Sequence, residues 1–200
     1  MLTCSNLNLT LGGNKIFTDF GVSLLPGSIY ILKGNNACGK TSLLKSIIGL
    51  LELDSGAILW NNKITDISRY ASYLGHENAI KKELSVMDNL ELWAGLKKAY
   101  QLILPAMGQF KLIDIADVKC KYLSAGIQKK VALARMVISN TKLWLLDEPE
   151  TNLDEEAREF LLKLLQVKIS TGGMVIIASH NLEYYQKIPI INLSDFKYER

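Results

Sequence analysis

Gly34-Asn35-Asn36-Ala37-Cys38-Gly39-Lys40-Thr41 fits the pattern G-x-x-x-x-G-K-[ST]. It stands between a short apolar run, Ile29-Tyr30-Ile31-Leu32, and a segment of helical periodicity from Ser42 to Leu51. Strand, glycine-rich loop and helix is the context in which this spacing builds a nest of backbone N–H groups around phosphate oxygens. In that setting Lys40 reaches the β- and γ-phosphates of a nucleotide, and the Thr41 hydroxyl holds Mg²⁺. Leu43, Leu44, Ile47, Ile48 and Leu51 give the helix an apolar face to bury.

Two further apolar runs, Leu143-Trp144-Leu145-Leu146 and Met174 to Ser179, read as strands covered on both faces. All three expected central strands end in polar residues: at the phosphate loop, at Asp147-Glu148 and at His180. In open α/β sheets ligands bind beyond the carboxyl ends of the strands, so three separate segments point at one site. The fold class is therefore α/β. Asp147 can organise Mg²⁺, directly or through water. Glu148 can polarise an attacking water as general base, an effect typically worth ~10²–10⁴ in rate.

Elsewhere the chain alternates turns and strands over residues 1–33, with tight turns at Gly12-Gly13-Asn14 and Pro26-Gly27. Ala57-Ile58-Leu59-Trp60, Asn61-Asn62 and Lys63-Ile64 read as a hairpin. A stretch rich in helix formers, about 84–122, looks like a helical insertion. Glu155 to Ile169 reads as an amphipathic helix with Phe160, Leu161, Leu164 and Leu165 inward. Ser124 stands where a helix N-cap belongs, ahead of Val131 to Ile138. The small residues Ala125 and Gly126 let an anion approach that helix terminus.

The 200 residues suggest one domain, and an apolar fraction of 48% is enough for a full core. With 23 basic and 20 acidic side chains the net charge is +3, which gives no electrostatic reason to expect a nucleic-acid partner. Cys4, Cys38 and Cys120 are odd in number and widely spaced, so neither a disulfide framework nor a zinc site is indicated, and a reducing cytosol fits. The start, Met1-Leu2-Thr3-Cys4-Ser5, lacks the pattern of a signal peptide. No run approaches the ~20 apolar residues of a membrane span, so another chain would have to supply any spans.

Together these segments resemble the ATP-binding-cassette ATPases. Leu123-Ser124-Ala125-Gly126-Ile127 is similar to the family signature L-S-G-G-Q, with Ala125 in place of Gly and Ile127 in place of Gln. Thr151-Asn152-Leu153-Asp154 resembles the D-loop, and Ala178-Ser179-His180 the switch-histidine segment. Tyr73-Leu74-Gly75-His76 puts His76 where the family usually carries Gln. The place where the family often carries an adenine-stacking aromatic falls near Leu11, with Phe17 the nearest aromatic. The run Tyr73-Leu74-Gly75-His76-Glu77, followed by Ile80 to Ser85 and Asn89-Leu90, is similar to the haem-exporter subfamily that serves cytochrome c biogenesis.

The resemblance implies one P-loop NTPase domain over residues 1–200 of the ABC type. An antiparallel β subdomain and a helical subdomain, about 77–140, would be set on a RecA-like core. It implies an ATP-hydrolysing translocase subunit with ATP and Mg²⁺ as cofactors. Gly34 to Thr41 and Ser42 would hold the nucleotide with Ser124, Ala125, Gly126 and Asp154. Lys40, Glu148 and His180 would be catalytic, and Thr41, Asp147 and His76 would serve the metal. Two copies would pair head to tail, with ATP between the phosphate loop of one and Ser124–Gly126 of the other. Asp154 would lie at the dimer contact. The partners implied are a second copy and the integral membrane permease subunits of the cytochrome c maturation system, met at the cytoplasmic face of the bacterial inner membrane. The face around His76–Asn89, with Met87 and Trp93, is the expected docking surface. The alternative is a cassette ATPase for another transported substrate, such as a lipid or small solute.

Overall fold

A computed structural model of the chain describes residues 1–35, 38–185 and 187–196. In chain order it forms β1 (Leu2–Leu11), β2 (Asn14–Leu24), β3 (Ile29–Lys33), α1 (Lys40–Ile47), β4 (Ser55–Trp60), β5 (Lys63–Ile64) and β6 (Ala71–Leu74). There follow α2 (Val86–Lys97), α3 (Ile103–Gln109), α4 (Ala125–Ile138), β7 (Leu143–Asp147), α5 (Glu155–Ser170), β8 (Met174–Ala178) and β9 (Ile190–Asn192). Short 3-10 turns lie between several of them. The chain divides into two compact units: Met1–Tyr73 with Lys142–Glu148 and Leu165–Arg200, and Leu74–Thr141 with Pro149–Leu164.

The first unit holds two sheets. One runs in the order β2-β1-β4-β5, with antiparallel pairing between β1 and β2, β1 and β4, and β4 and β5. The other runs β6-β7-β8-β3-β9, with parallel pairing of β7 with β8 and of β3 with both β8 and β9. Every residue of β7 and of β8 is buried, as continuous apolar runs require when both faces of a strand are covered. β1 instead alternates, sending Leu2, Cys4, Leu7 and Leu9 inward. These meet Leu43, Leu44 and Ile47 of α1 and Leu143, Leu145 and Ile176 of the parallel sheet in one core cluster. The hairpin turn sits at Asn61 and Asn62, both with positive φ (49° and 62°), the geometry that asparagine tolerates.

α1 starts two residues earlier and stops sooner than periodicity predicts. Its stop is chemical: Gly49 takes φ 83°, and Gly49 N–H and Leu50 N–H donate back to Ser46 and Lys45, closing the last carbonyls in a Schellman-type end. Leu51 therefore lies outside the helix and is half-buried.

The second unit is built on α2, α3, α4 and the first turns of α5. α2 begins with a capping box, in which Ser85 Oγ accepts from Asp88 N–H and Asp88 Oδ2 accepts from Ser85 N–H, each at 3.1 Å. Asn89, only 1% exposed, ties the preceding segment to this helix. Its amide donates to the Lys81 carbonyl (2.9 Å) and the Ser85 carbonyl (2.8 Å) and accepts from Lys81 N–H (2.7 Å). Along α5 the fully buried stripe is Ala157, Leu161 and Leu165, while Phe160 and Leu164, expected inward, are half-buried at its margin.

Candidate nucleotide-binding site

The phosphate loop leaves the carboxyl end of β3 and enters α1 through Gly39, whose φ of 104° only glycine adopts without strain. A Cβ there would also sit 2.3 Å from Ile16 Cγ2. Lys40 opens the helix and is 7% exposed. Its ammonium donates to the carbonyls of Gly34 (2.6 Å) and Asn35 (3.1 Å), so it already spans the loop that a phosphate would fill. Cys38 is buried against Gly34, Thr41 and Ser42 are half-buried on the first turn of α1, and Asn36 and Ala37 lie outside the described residues.

Asp147 ends β7 and is 3% exposed. The Thr41 hydroxyl donates to its Oδ2 at 2.7 Å. A second hydroxyl, Tyr73 at the third position of β6, reaches the same oxygen at 3.5 Å. Burial first, then the Asp147 charge and this contact, push the Tyr73 phenol above its ordinary pKa, so it remains a donor. A hydroxyl and a carboxylate 2.7 Å apart are the hard oxygen pair that suits Mg²⁺.

Glu148 leaves the strand in the left-handed region, φ 49°, with its N–H held by the Ala178 carbonyl at 2.8 Å. A non-glycine residue in that region carries local strain, and such positions concentrate at functional sites. The turn places Glu148 Oε1 3.0 Å from His180 Nδ1, just beyond the neighbouring strand β8. Glu148 is the more enclosed of the two, with its side chain 22% exposed against 61% for His180. Lys40, Thr41, Asp147, Glu148 and His180 thus stand at the carboxyl ends of β3, β7 and β8, adjacent strands of one sheet.

In the second unit Ser124 caps α4, its Oγ accepting from Ile127 N–H at 3.3 Å. Ser124 and Ala125 are exposed, so the positive end of the helix faces outward. A Cβ on Gly126 would lie 2.8 Å from the Asn152 carbonyl, so only glycine admits this approach of the two segments. Gln128 Nε2 donates to the carbonyls of Cys120 (2.9 Å) and Leu123 (3.0 Å), securing the chain that leads into Ser124. Asp154 caps α5 by accepting from Ala157 N–H at 2.8 Å and lies 3.7 Å from Lys130. That backbone bond first, then Lys130, holds its carboxyl below the usual range.

His76 is exposed in the turn after β6. Among the described residues no three or more His, Cys, Asp and Glu side chains gather as an ion site. Phe17, the aromatic nearest the place expected to meet adenine, is 0% exposed in the core, 6.1 Å from the Phe20 ring. Trp93 is half-buried beneath the Arg135 guanidinium, 4.6 Å from the ring, and Met87 is half-buried too. The exposed apolar side chains near them include Leu84, Leu92, Leu96, Tyr100 and Leu104.

Residues 17–151 match the ABC transporter family. The chain is 37% identical over 196 residues to the cytochrome c biogenesis ATP-binding export protein CcmA of Rickettsia bellii, covering 97% of this chain and all of that one. It is 42% identical over 168 residues to the protein of that name from Rickettsia conorii, covering 83% and 88% of the two chains. A solved structure described as a putative ABC transporter ATP-binding protein from Pyrococcus furiosus superposes with TM-score 0.85 at 25% identity, covering 98% of this chain and 99% of that one. A second, described as the ATP-binding subunit of an ABC transporter, superposes over 100% of this chain and 88% of that one with TM-score 0.89 at 23% identity, a likeness of fold.

Proposed function

The chain belongs to the ABC transporter ATP-binding family, and on that premise we propose that it is the ATP-hydrolysing subunit of a membrane complex serving c-type cytochrome biogenesis. The observation that carries the reading is the meeting of Lys40, Thr41, Asp147, Glu148 and His180 at the ends of three adjacent strands. The CcmA relatives, matched over nearly the whole chain, direct it to cytochrome c maturation.

In this reading the loop amides and Lys40 hold the phosphates, and Lys40 exchanges its two loop carbonyls for phosphate oxygens. Thr41 and Asp147 hold Mg²⁺, which when bound neutralises charge on the phosphate oxygens. Glu148 takes a proton from water as the water oxygen bonds to the γ-phosphorus. The bond from that phosphorus to the β–γ bridging oxygen breaks, and ADP leaves. His180 turns from Glu148 to the γ-phosphate. The second half of the site comes from another copy, whose Ser124, Ala125 and Gly126 present the amino end of α4 to the same phosphate. Asp154, beside that helix through Lys130, stands at the contact between copies.

No described helix is long and apolar enough to cross a membrane. In the proposed complex integral membrane permease subunits supply the spans, and this chain docks on them at the cytoplasmic face of the bacterial inner membrane.

The test is replacement of the native gene by the Lys40→Ala variant, followed by haem staining of c-type cytochromes in membranes. Loss of covalently attached haem, with the variant protein present at normal level, is the expected result. Normal staining would discard the cytochrome c role.

A further inference from the structure

The parallel sheet contains one polar contact to the ion-binding carboxylate that the site motifs do not include. Tyr73 lies on β6, the strand beside β7, and its hydroxyl approaches Asp147 Oδ2 at 3.5 Å. Thr41 Oγ1 donates to that same oxygen at 2.7 Å. Asp147 is 3% exposed, so its orientation is set by protein donors rather than by water. Two hydroxyls, one from α1 and one from β6, fall on Oδ2 from different elements, and neither of these contacts takes up Oδ1. A carboxylate gripped only by Thr41 would turn about that single bond. Thr41 is itself an ion ligand in the proposed function, so its grip changes when the ion arrives, whereas that of Tyr73 does not.

We propose that Tyr73 is a positioning residue for the ion, its hydroxyl fixing the Asp147 carboxylate so that Oδ1 is presented to Mg²⁺. This rests on the assignment of the ion to Thr41 and Asp147. Partners of this outer kind set ligand orientation, and losing one typically costs ~10–100-fold in metal affinity. The contact is long for a hydrogen bond, so the lower end of that range applies.

The experiment titrates Mn²⁺ into protein saturated with ADP and reads free Mn²⁺ by electron paramagnetic resonance, with no turnover involved. Tyr73→Phe keeps the ring and removes the hydroxyl. It should weaken Mn²⁺ binding on the order of tenfold, while its metal-free ADP affinity and its melting temperature match the wild type. Asp147→Asn should lose the Mn²⁺ site outright. If Tyr73→Phe binds Mn²⁺ like the wild type while Asp147→Asn does not, the positioning role is overturned and the ion assignment stands. If Asp147→Asn also binds like the wild type, the ion lies elsewhere and the role of Tyr73 falls with it. If Tyr73→Phe weakens ADP binding without metal as well, the residue is structural and the inference is overturned.

Discussion

Glu148 and His180 hold each other at 3.0 Å, and the geometry of that pair decides what each can do. A proton on Nδ1 donates to Oε1, which fixes the carboxylate at the mouth of the strand ends and leaves Nε2 directed away from it. Glu148→Gln keeps the size and the capacity to accept from His180 but cannot take a proton. Turnover should therefore fall by about 10²–10⁴, the usual worth of a positioned base, with ATP affinity kept. Phosphate release measured beside an equilibrium ATP titration separates the two, and undiminished release would remove Glu148 as the base. These residues were legible in the sequence because each belongs to a short motif at a strand end, where local spacing carries the chemistry. Tyr73 was not, because its contact with Asp147 crosses 74 residues of sequence and exists only once β6 lies beside β7. The burial of Phe17 was not legible either. Its aromatic character is visible in the chain, but the face of β2 it takes is set by pairing with β1, where Leu9 lies opposite.

At the scale of elements, burial on both faces made β7 and β8 readable, whereas the end of α1 depended on one glycine that periodicity does not weigh. The packing of α5 on β7 hides a charge. Lys168 places its ammonium 4.7 Å from the centre of the Trp144 ring, and Trp144 is 3% exposed. Burial first, and Lys142 second, lower the Lys168 pKa to about 8. The indole face favours the charged form, so the fall is the net of opposing effects, with burial ahead. Between pH 8 and the ordinary value of 10.5 the unfolded chain holds a proton at this lysine that the folded chain has lost. Stability therefore rises with pH through that window, and below it the folded protein carries the full penalty of the buried charge. Lys168→Met removes the penalty and keeps the apolar stem over the indole. Urea midpoints at pH 7 and pH 9.5 should show the variant gaining most at pH 7, with a shallower rise between them. Identical pH slopes in the two proteins would mean that Lys168 titrates at its unfolded value.

For the whole molecule, the proposed mechanism requires a second copy, and Ser124 offers the means to test it. Its hydroxyl has two roles: it caps α4 within the chain, and it meets phosphate in the proposed pair. Losing the cap costs about 1 kcal/mol, so a substitution that also fills the approach must be compared with one that removes the hydroxyl alone. In the Glu148→Gln background, where ATP persists, the chain should sediment as a dimer with ATP and as a monomer without it. Adding Ser124→Ala removes the cap and leaves room for the partner, so the dimer should persist with a slightly lower melting temperature. Adding Ser124→Arg loses the same cap but fills the approach with a long side chain. It should melt near the Ser124→Ala protein and remain monomeric with ATP. A Ser124→Arg chain that still dimerises would show that ATP is not enclosed against this helix end. A Ser124→Ala chain that fails to dimerise would instead place the requirement in the Ser124 hydroxyl, as cap or as phosphate contact. Either outcome bears on coupling to the membrane subunits, because in the proposed complex only a pair that closes on ATP and reopens on its hydrolysis can transmit a movement to them.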